Sequence, residues 1–321
     1  MEQREMYKTG HILIFFLVSL LYPSVIQAKA LKIKGAFTGP SACHTMIVKA
    51  DGSLWACGWN KSGQLGDGTT TNRQTPVQVM HDVVSIAAGS EHSLILKSDA
   101  TVWTCGSNSW GQLGDGTKID KSVPVKIMSD VVSVAVGEVH SLFLKKDGTV
   151  WACGNNGDGQ LGDGTNDTRL TPIHVMDDVA TVSAGYYHSF ILQKDGSLWA
   201  CGYNEYGQLG DGTTMNKSNP VKVMDGVASV SAGLQHTLIL KNDGSLWVCG
   251  LNNYGQLGDG TNADKLTPVQ ISENSSSNFT LQRIIMMDCN EKALIYTLSG
   301  KRQNAPRKGI NIINGKKVIV K

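Results

Sequence analysis

The heptapeptide GQLGDGT begins at Gly63, Gly111, Gly159, Gly207 and Gly255, a step of 48 residues that never varies. A histidine keeps the same step (His44, His92, His140, His188, His236), as do Trp55, Trp103, Trp151, Trp199 and Trp247, and Cys57, Cys105, Cys153, Cys201 and Cys249. A fixed period of this size marks a propeller, solenoid or array. Each unit of such a chain buries its apolar surface only against its neighbours.

One period read from His92 runs HSLILKSDATVWTCGSNSWGQLGDGTKIDKSVPVKIMSDVVSVAVG. It predicts four short strands. The first is HSLIL; a turn follows, written Asp-Gly in four copies (Asp51-Gly52, Asp147-Gly148, Asp195-Gly196, Asp243-Gly244), which is a strong hairpin signal. The others are SLWACG, then PVQVM after the glycine loop, then DVVSIAAG. No segment holds a helical period. Four-stranded repeats of this length are propeller blades. The expected fold is therefore all-β: a propeller of about five four-stranded blades over residues 31–274, with a small C-terminal β segment. Strands apolar on both sides fit sheets sandwiched between neighbours. Counted from its histidine, the fifth unit runs from His236 to Ile271 and then into SENSSSNFT. Its last strand must come from Leu281–Met287 or from Leu31–Phe37. The N-terminal choice is favoured, because it would zip the ring shut.

Repetition argues against catalysis, since an active site needs one asymmetric cluster. Asp67, Asp115, Asp163, Asp211 and Asp259 read as turn residues bonding nearby backbone amides. Gly63, Gly66, Gly111, Gly159, Gly207 and Gly255 read as suppliers of positive φ. The repeated histidines read as hydrogen-bonding strand residues. No catalytic residue, metal or cofactor is expected. Gly157, Gly159 and Gly162 match GxGxxG, but between strands with no following helix the dinucleotide context is missing. The five repeated cysteines read as small apolar core residues, because stacked sheets lie about 10 Å apart and a disulfide needs Cα atoms within about 7 Å. Cys43 and Cys289 fall outside the pattern near the two ends; a ring-closing disulfide or two free thiols both fit.

Function in a repeat protein sits where the copies differ. One variable tetrapeptide precedes each GQLG: WNKS, SNSW, NNGD, YNEY and LNNY. A second variable pair precedes each histidine, as in Ser90-Glu91, Glu138-Val139, Tyr186-Tyr187 and Leu234-Gln235. Aromatics collect at these positions, and Tyr and Trp dominate interface hot spots. Trp59, Trp110, Tyr186, Tyr187, Tyr203, Tyr206, Leu251 and Tyr254 are the expected partner face.

The two ends differ from the body. Arg4 and Lys8, the apolar run from Ile12 to Tyr22 and the small residues around Ala28 and Ala30 form the pattern of a secretory signal peptide over residues 1–30. The apolar run is too short to span a bilayer, and no other stretch is apolar enough, so no transmembrane span is expected. Residues 31–280 carry 17 basic against 23 acidic side chains, while residues 281–321 carry 9 against 2. An acidic body is a poor match for nucleic-acid phosphates.

Two resemblances follow from these residues. The unit GxxHSLxLKxDGxxWxCGxNxxGQLGDGTxxxxxxPVxV resembles the repeat of the regulator of chromosome condensation family over about residues 35–272. That resemblance implies a β-propeller, seven-bladed in the family against five units here. It implies a scaffold used both by nuclear exchange factors of a small GTPase that also touch nucleosomes and by secreted bacterial binders that grip a protein through loops on one face. The tail IYTLSGKRQNAPRKGINIINGKKVIVK (Ile295 to Lys321) resembles the C-terminal sorting domain of type IX secretion cargo, placed at residues 281–321. This implies recognition by that machinery and a cell-surface or extracellular location.

The leading expectation is thus an exported, non-enzymatic binding module for an extracellular protein or glycan. The alternatives are an exchange-factor-like regulator of a small GTPase and an enzyme working in the propeller funnel. For the enzyme the symmetry-breaking acids are Glu91, Glu138, Asp158 and Glu205.

Overall fold

The structure, a computed structural model, describes residues 42–271 in full, together with the backbone of five strands outside that range. The expected signal peptide and Cys289 lie outside the described residues, and of residues 281–321 only four short strands are described.

Twenty strands form five antiparallel four-stranded sheets, each with its strands in chain order. Sheet 1 joins β1 (Ile33–Phe37), β2 (His44–Lys49), β3 (Leu54–Gly58) and β4 (Arg73–Met80). Sheet 2 joins β5 (Val83–Ala88), β6 (His92–Lys97), β7 (Val102–Gly106) and β8 (Lys121–Met128). Sheet 3 joins β9 (Val131–Val136), β10 (His140–Lys145), β11 (Val150–Gly154) and β12 (Arg169–Met176). Sheet 4 joins β13 (Val179–Ala184), β14 (His188–Gln193), β15 (Leu198–Gly202) and β16 (Lys217–Met224). Sheet 5 joins β17 (Val227–Ala232), β18 (His236–Lys241), β19 (Leu246–Gly250) and β20 (Lys265–Gln270). The remaining strands form two hairpins, β21 (Ile285–Met287) with β22 (Ala293–Ile295) and β23 (Gly309–Ile313) with β24 (Lys316–Val320).

These quartets shift the blade boundary by one strand from the expected unit. The VVSIAA strand opens the next blade instead of closing its own: β5 pairs with β6, Ile86 opposite Ile95. The chain crosses between blades at Asp82, which takes φ of 61°, and Val83 N–H is held by the Gly52 carbonyl of the preceding hairpin at 2.9 Å. Sheet 5 is therefore complete without a borrowed strand. The N-terminal segment pairs with β2 at the head of sheet 1, and does not close a ring on the last sheet.

Each hairpin turn is built around a relay that the sequence writes as Asp-x-Ser/Thr-x-Trp. Asp51 accepts from Ser53 N–H and Oγ–H at 2.9 and 2.6 Å, and Ser53 Oγ accepts from Trp55 Nε1–H at 3.0 Å. Sheet 2 has Ala100 in place of the turn glycine, held at φ 64°.

One apolar cluster fills each sheet-to-sheet interface. Met46, Leu54 and Leu65 meet Ile86 and Cys105 between sheets 1 and 2. Leu94 and Val102 meet Phe143 and Cys153 between sheets 2 and 3. Leu142 and Ala152 meet Ile191 between sheets 3 and 4. Phe190 and Leu198 meet Ile239 between sheets 4 and 5. Strands β6, β10 and β14 are buried along both faces, while β18 alternates. Among the described residues no helix is long and apolar enough to cross a membrane.

Candidate functional site

Each glycine loop is a hydrogen-bonded cage organised by an asparagine. In sheet 4, Asn204 is fully buried. Its Nδ2 donates to Asp211 Oδ1 at 2.9 Å and to the Thr213 and Met215 carbonyls at 3.0 and 3.2 Å. Its Oδ1 accepts from Leu209 N–H at 3.0 Å, so the buried amide is fully used. Asn60, Asn108, Asn156 and Asn252 repeat the arrangement. The aspartate is the second centre. Asp67 Oδ1 accepts from Thr69 N–H and Oγ1–H at 3.0 and 2.8 Å, and Oδ2 pairs with Arg73 at 2.6 Å. A basic residue closes every cage: Arg73, Lys121, Arg169, Lys217 or Lys265. Burial raises the Asp67 carboxyl's pKa, but the hydrogen bonds from Thr69, Arg73 and Asn60 outweigh it and leave the group below its usual range.

The glycines serve close approach as well as turning. Gly63 has φ of 81°, and a Cβ there would lie 2.5 Å from Ser122 Cα of the next sheet. Gly111, Gly159 and Gly207 stand in the same relation to Leu170, Ser218 and Leu266.

The histidines form a ladder through the sheets. His44 Nε2 meets Ser93 Oγ of the next sheet at 2.8 Å, and His92 with Ser141 and His140 with Ser189 repeat this at 3.0 and 2.9 Å. Each serine also donates to the glutamine carbonyl of the preceding GQLG, Ser93 to Gln64 at 2.9 Å. Burial lowers His44 to about 4, and His92, His140 and His188 to about 3, so the ladder is neutral at ordinary pH. Cys105, Cys201 and Cys249 are pushed up to about 12 by burial, as expected of thiols inside a core. Cys43 is exposed and forms no disulfide with another described cysteine.

The two variable sets lie side by side. The first residue of each tetrapeptide donates its N–H to the carbonyl of the residue before the histidine: Trp59 to Cys43, Ser107 to Glu91, Asn155 to Val139, Tyr203 to Tyr187 and Leu251 to Gln235, at 2.8–3.0 Å. Side-chain bonds then join neighbouring sheets: Ser62 Oγ donates to Glu91 at 3.1 Å, and Asn216 Nδ2 to Asp158 at 2.8 Å. Glu138 N–H donates to the Tyr186 carbonyl at 3.0 Å. These bonds tie the two variable sets together within each sheet, and across sheets 1 and 2 and sheets 3 and 4.

On that face Trp59 is 41%, Trp110 45% and Tyr254 85% exposed. Tyr186, Tyr187, Tyr203, Tyr206 and Leu251 are half-buried. Tyr186 and Tyr187 stack edge to face at 4.2 Å between centroids, and Tyr203 and Tyr206 at 6.2 Å. Trp59, Trp110 and Tyr254 stand on separate blades, outside these two pairs. Burial, then the side-chain hydrogen bond with Tyr186, pushes the Tyr187 hydroxyl up to about 12. Tyr203 is raised by burial and by its hydrogen bond to Glu205. Asp158 is raised by burial against the opposing pull of Asn216. Glu91, Asp158 and Glu205 are thus engaged with the loops of this face through their carboxylates, and Glu138 through its backbone N–H. Among the described residues no three of the His, Cys, Asp and Glu side chains cluster as metal ligands would.

The structure adds two residues that sequence reading left out. Ile119 and Met215 are 65% and 63% exposed, at equivalent places between GDGT and the cage's basic residue. Their carbonyls accept from the cage asparagines Asn108 and Asn204. A signal was present in residue type: the position reads Thr71, Ile119, Asp167, Met215 and Ala263, so Ile119 and Met215 are large apolar side chains set between polar neighbours.

Comparisons agree with this architecture. The RCC1-like domain family matches residues 28–298. The zebrafish protein RCC2 homolog is 38% identical over 53 residues, which is 16% of this chain and 11% of that protein. The chain thus matches only a small part of that curated relative's length. The crystal structure of human WBSCR16 superposes with a TM-score of 0.66 at 25% identity, over 75% of this chain and 67% of that one. Yeast RCC1 (Prp20), solved bound to Kap60, gives 0.63 at 26% identity, over 85% and 64%. With five antiparallel blades, the repeated glycine cage and a family match over most of its length, the chain belongs to the RCC1-like domain family of β-propeller proteins.

Proposed function

We propose that this protein is a binding module that grips a partner protein through the loop face carrying Trp59, Trp110, Tyr203, Tyr206 and Tyr254. The observation that supports this is the contrast within the loops: the varying side chains are aromatic and lie at the surface, Trp59, Trp110 and Tyr254 exposed and Tyr203 and Tyr206 half-buried, on cages held rigid by buried hydrogen bonds. Rigid aromatic anchors lose little entropy on binding and dominate interface energetics. The partner is an extracellular or surface protein, or less favourably a glycan. The chain reaches that compartment by the signal-peptide pattern at its start and the tail that resembles a type IX sorting domain. The role is binding and not catalysis.

Replacing Trp59, Tyr203, Tyr206 and Tyr254 by Ala tests the face. Surface proteins of the native host captured by the wild type should be lost from the variant while its melting curve stays in place. Capture that survives all four substitutions would overturn the reading. The intact mass of the protein recovered from the host's surface or medium tests the route, which requires loss of the leader.

Family membership favours a second reading, regulation of a small GTPase, because a relative's structure is described with its binding to Gsp1p and histones. A full-length protein found in the cytosol, binding a GTPase, would choose it.

A further inference from the structure

The sheets are fastened by one latch, used four times. The glycine loop of each sheet is a socket, and the outer strand of the next sheet is the plug. Gly68 N–H donates to the Ser122 carbonyl at 2.9 Å, Gly116 to Leu170 at 2.9 Å, Gly164 to Ser218 at 2.9 Å and Gly212 to Leu266 at 2.8 Å. Two residues along each plug, Pro124, Pro172, Pro220 or Pro268 packs where a Cβ on Gly66, Gly114, Gly162 or Gly210 would come within 3.0–3.2 Å of the ring. The glutamine carbonyl of the socket accepts from Ser93, Ser141, Ser189 or Thr237 of the next sheet at 2.7–2.9 Å.

One socket and one plug are left over. In sheet 5, Gly260 N–H meets no acceptor among the described residues. A Cβ on Gly255 would meet only Asn262, and one on Gly260 nothing, within 4 Å of described atoms. Gly258 is exposed where its four counterparts are buried. In sheet 1 the plug strand β4 presents Gln74 and Pro76, both exposed, whereas Pro124, Pro172, Pro220 and Pro268 are half-buried. Cys57 is likewise half-buried where Cys105, Cys153, Cys201 and Cys249 are buried. The plug pattern, a basic residue, two others, then Pro and a β-branched residue, occurs at 73–77, 121–125, 169–173, 217–221 and 265–269. Beyond Ile271 it does not recur, because Pro306 is followed by Arg307 and Lys308. The unused plug that fits the unused socket is thus the chain's own β4, and within one copy the two are not engaged.

We propose that the sheet 5 socket binds sheet 1 of a second copy of this chain, head to tail, with Gly260 N–H donating to the Gln74 carbonyl and Pro76 seated against Gly258. The interface is continuous in design with four that the fold already contains. Being heterologous, it propagates: each dimer keeps one free plug and one free socket, so growth ends in a ring or continues as a filament.

The full chain should show a mass by light scattering that rises above the monomer with concentration. Gly255→Asn blocks the socket, since the equivalent Cβ would strike the plug backbone, and Asn tolerates positive φ. Pro76→Asp spoils the plug at an exposed position. Each variant alone should be monomeric. Mixed one to one, the sound socket of Pro76→Asp meets the sound plug of Gly255→Asn, and the mixture should give a dimer and nothing larger. Gly258→Asn serves as the socket variant if Gly255→Asn does not fold. A wild type that stays monomeric at every concentration, or a mixture that stays monomeric, overturns the proposal. The first outcome would mean that the plug closes on its own socket or that the C-terminal segment fills it; the second would mean that plug and socket do not join two copies.

Discussion

The cage and the face are written in the same tetrapeptides, yet they meet opposite environments. Asn204 is fully buried with its amide saturated, while Tyr203 and Tyr206 on either side lie at the surface and Tyr254 in the next loop is 85% exposed. Burial fixes the first kind of residue, because an orphaned amide in a core costs about 1–3 kcal/mol. Exposure frees the second kind, because surface substitutions stay within about 0.5 kcal/mol. One loop therefore separates a residue that must not change from residues that can take any partner's shape.

The largest expected effect breaks the buried side of this contrast. Phe143→Ala, in the cluster between sheets 2 and 3, should cost about 3–5 kcal/mol in denaturant unfolding. Asn204→Ala should cost about 2–3 kcal/mol, because it orphans the Leu209 N–H and the carbonyls of Thr213 and Met215. The neighbouring Tyr203→Ala should cost much less, and equal losses at the two positions would erase the distinction.

The histidine ladder sharpens the comparison by pH. His92, His140 and His188 are held neutral, from an ordinary 6.5 to about 3. Below pH 6.5 the unfolded chain takes up protons that the folded chain refuses, so their contribution is present above that pH and lost as pH falls toward about 3. The aspartates, depressed in the fold, add to the loss only at the acid end. His140→Gln should flatten the slope between pH 6.5 and 4 more than His236→Gln, since His236 sits in the open last sheet with a smaller burial effect. Equal slopes would mean the ladder is not what titrates. The smallest effect is a gain: Ala100→Gly, relieving φ of 64° at the sheet 2 hairpin, should add about 1 kcal/mol.

Much of this was legible in the chain itself. The period, the four strands, the hairpin turns and the buried cysteines follow from spacing and alternation, which depend on local structure. The blade boundary was not, because both connections flanking β5 are short, and only the pairing of Ile86 with Ile95 decides which neighbour it joins. The cage's basic residue, six positions after each aspartate, was visible as a spacing but has no meaning until Arg73 is seen on Asp67. The tetrapeptide and the pair before each histidine read as one face from their variation alone, but the bond that joins them, from Tyr203 N–H to the Tyr187 carbonyl, is a contact that sequence order hides. Which aromatics are open, Tyr254 far more than Tyr206, depends on neighbouring loops and could not be read from one repeat.

The most direct test of the binding face compares wild type with the variant carrying Trp59→Ala, Tyr203→Ala, Tyr206→Ala and Tyr254→Ala, measuring thermal unfolding and capture of host surface proteins on the same samples. The account predicts a melting curve within a few degrees of wild type and loss of the captured partner. A variant that still captures the same partner would contradict it.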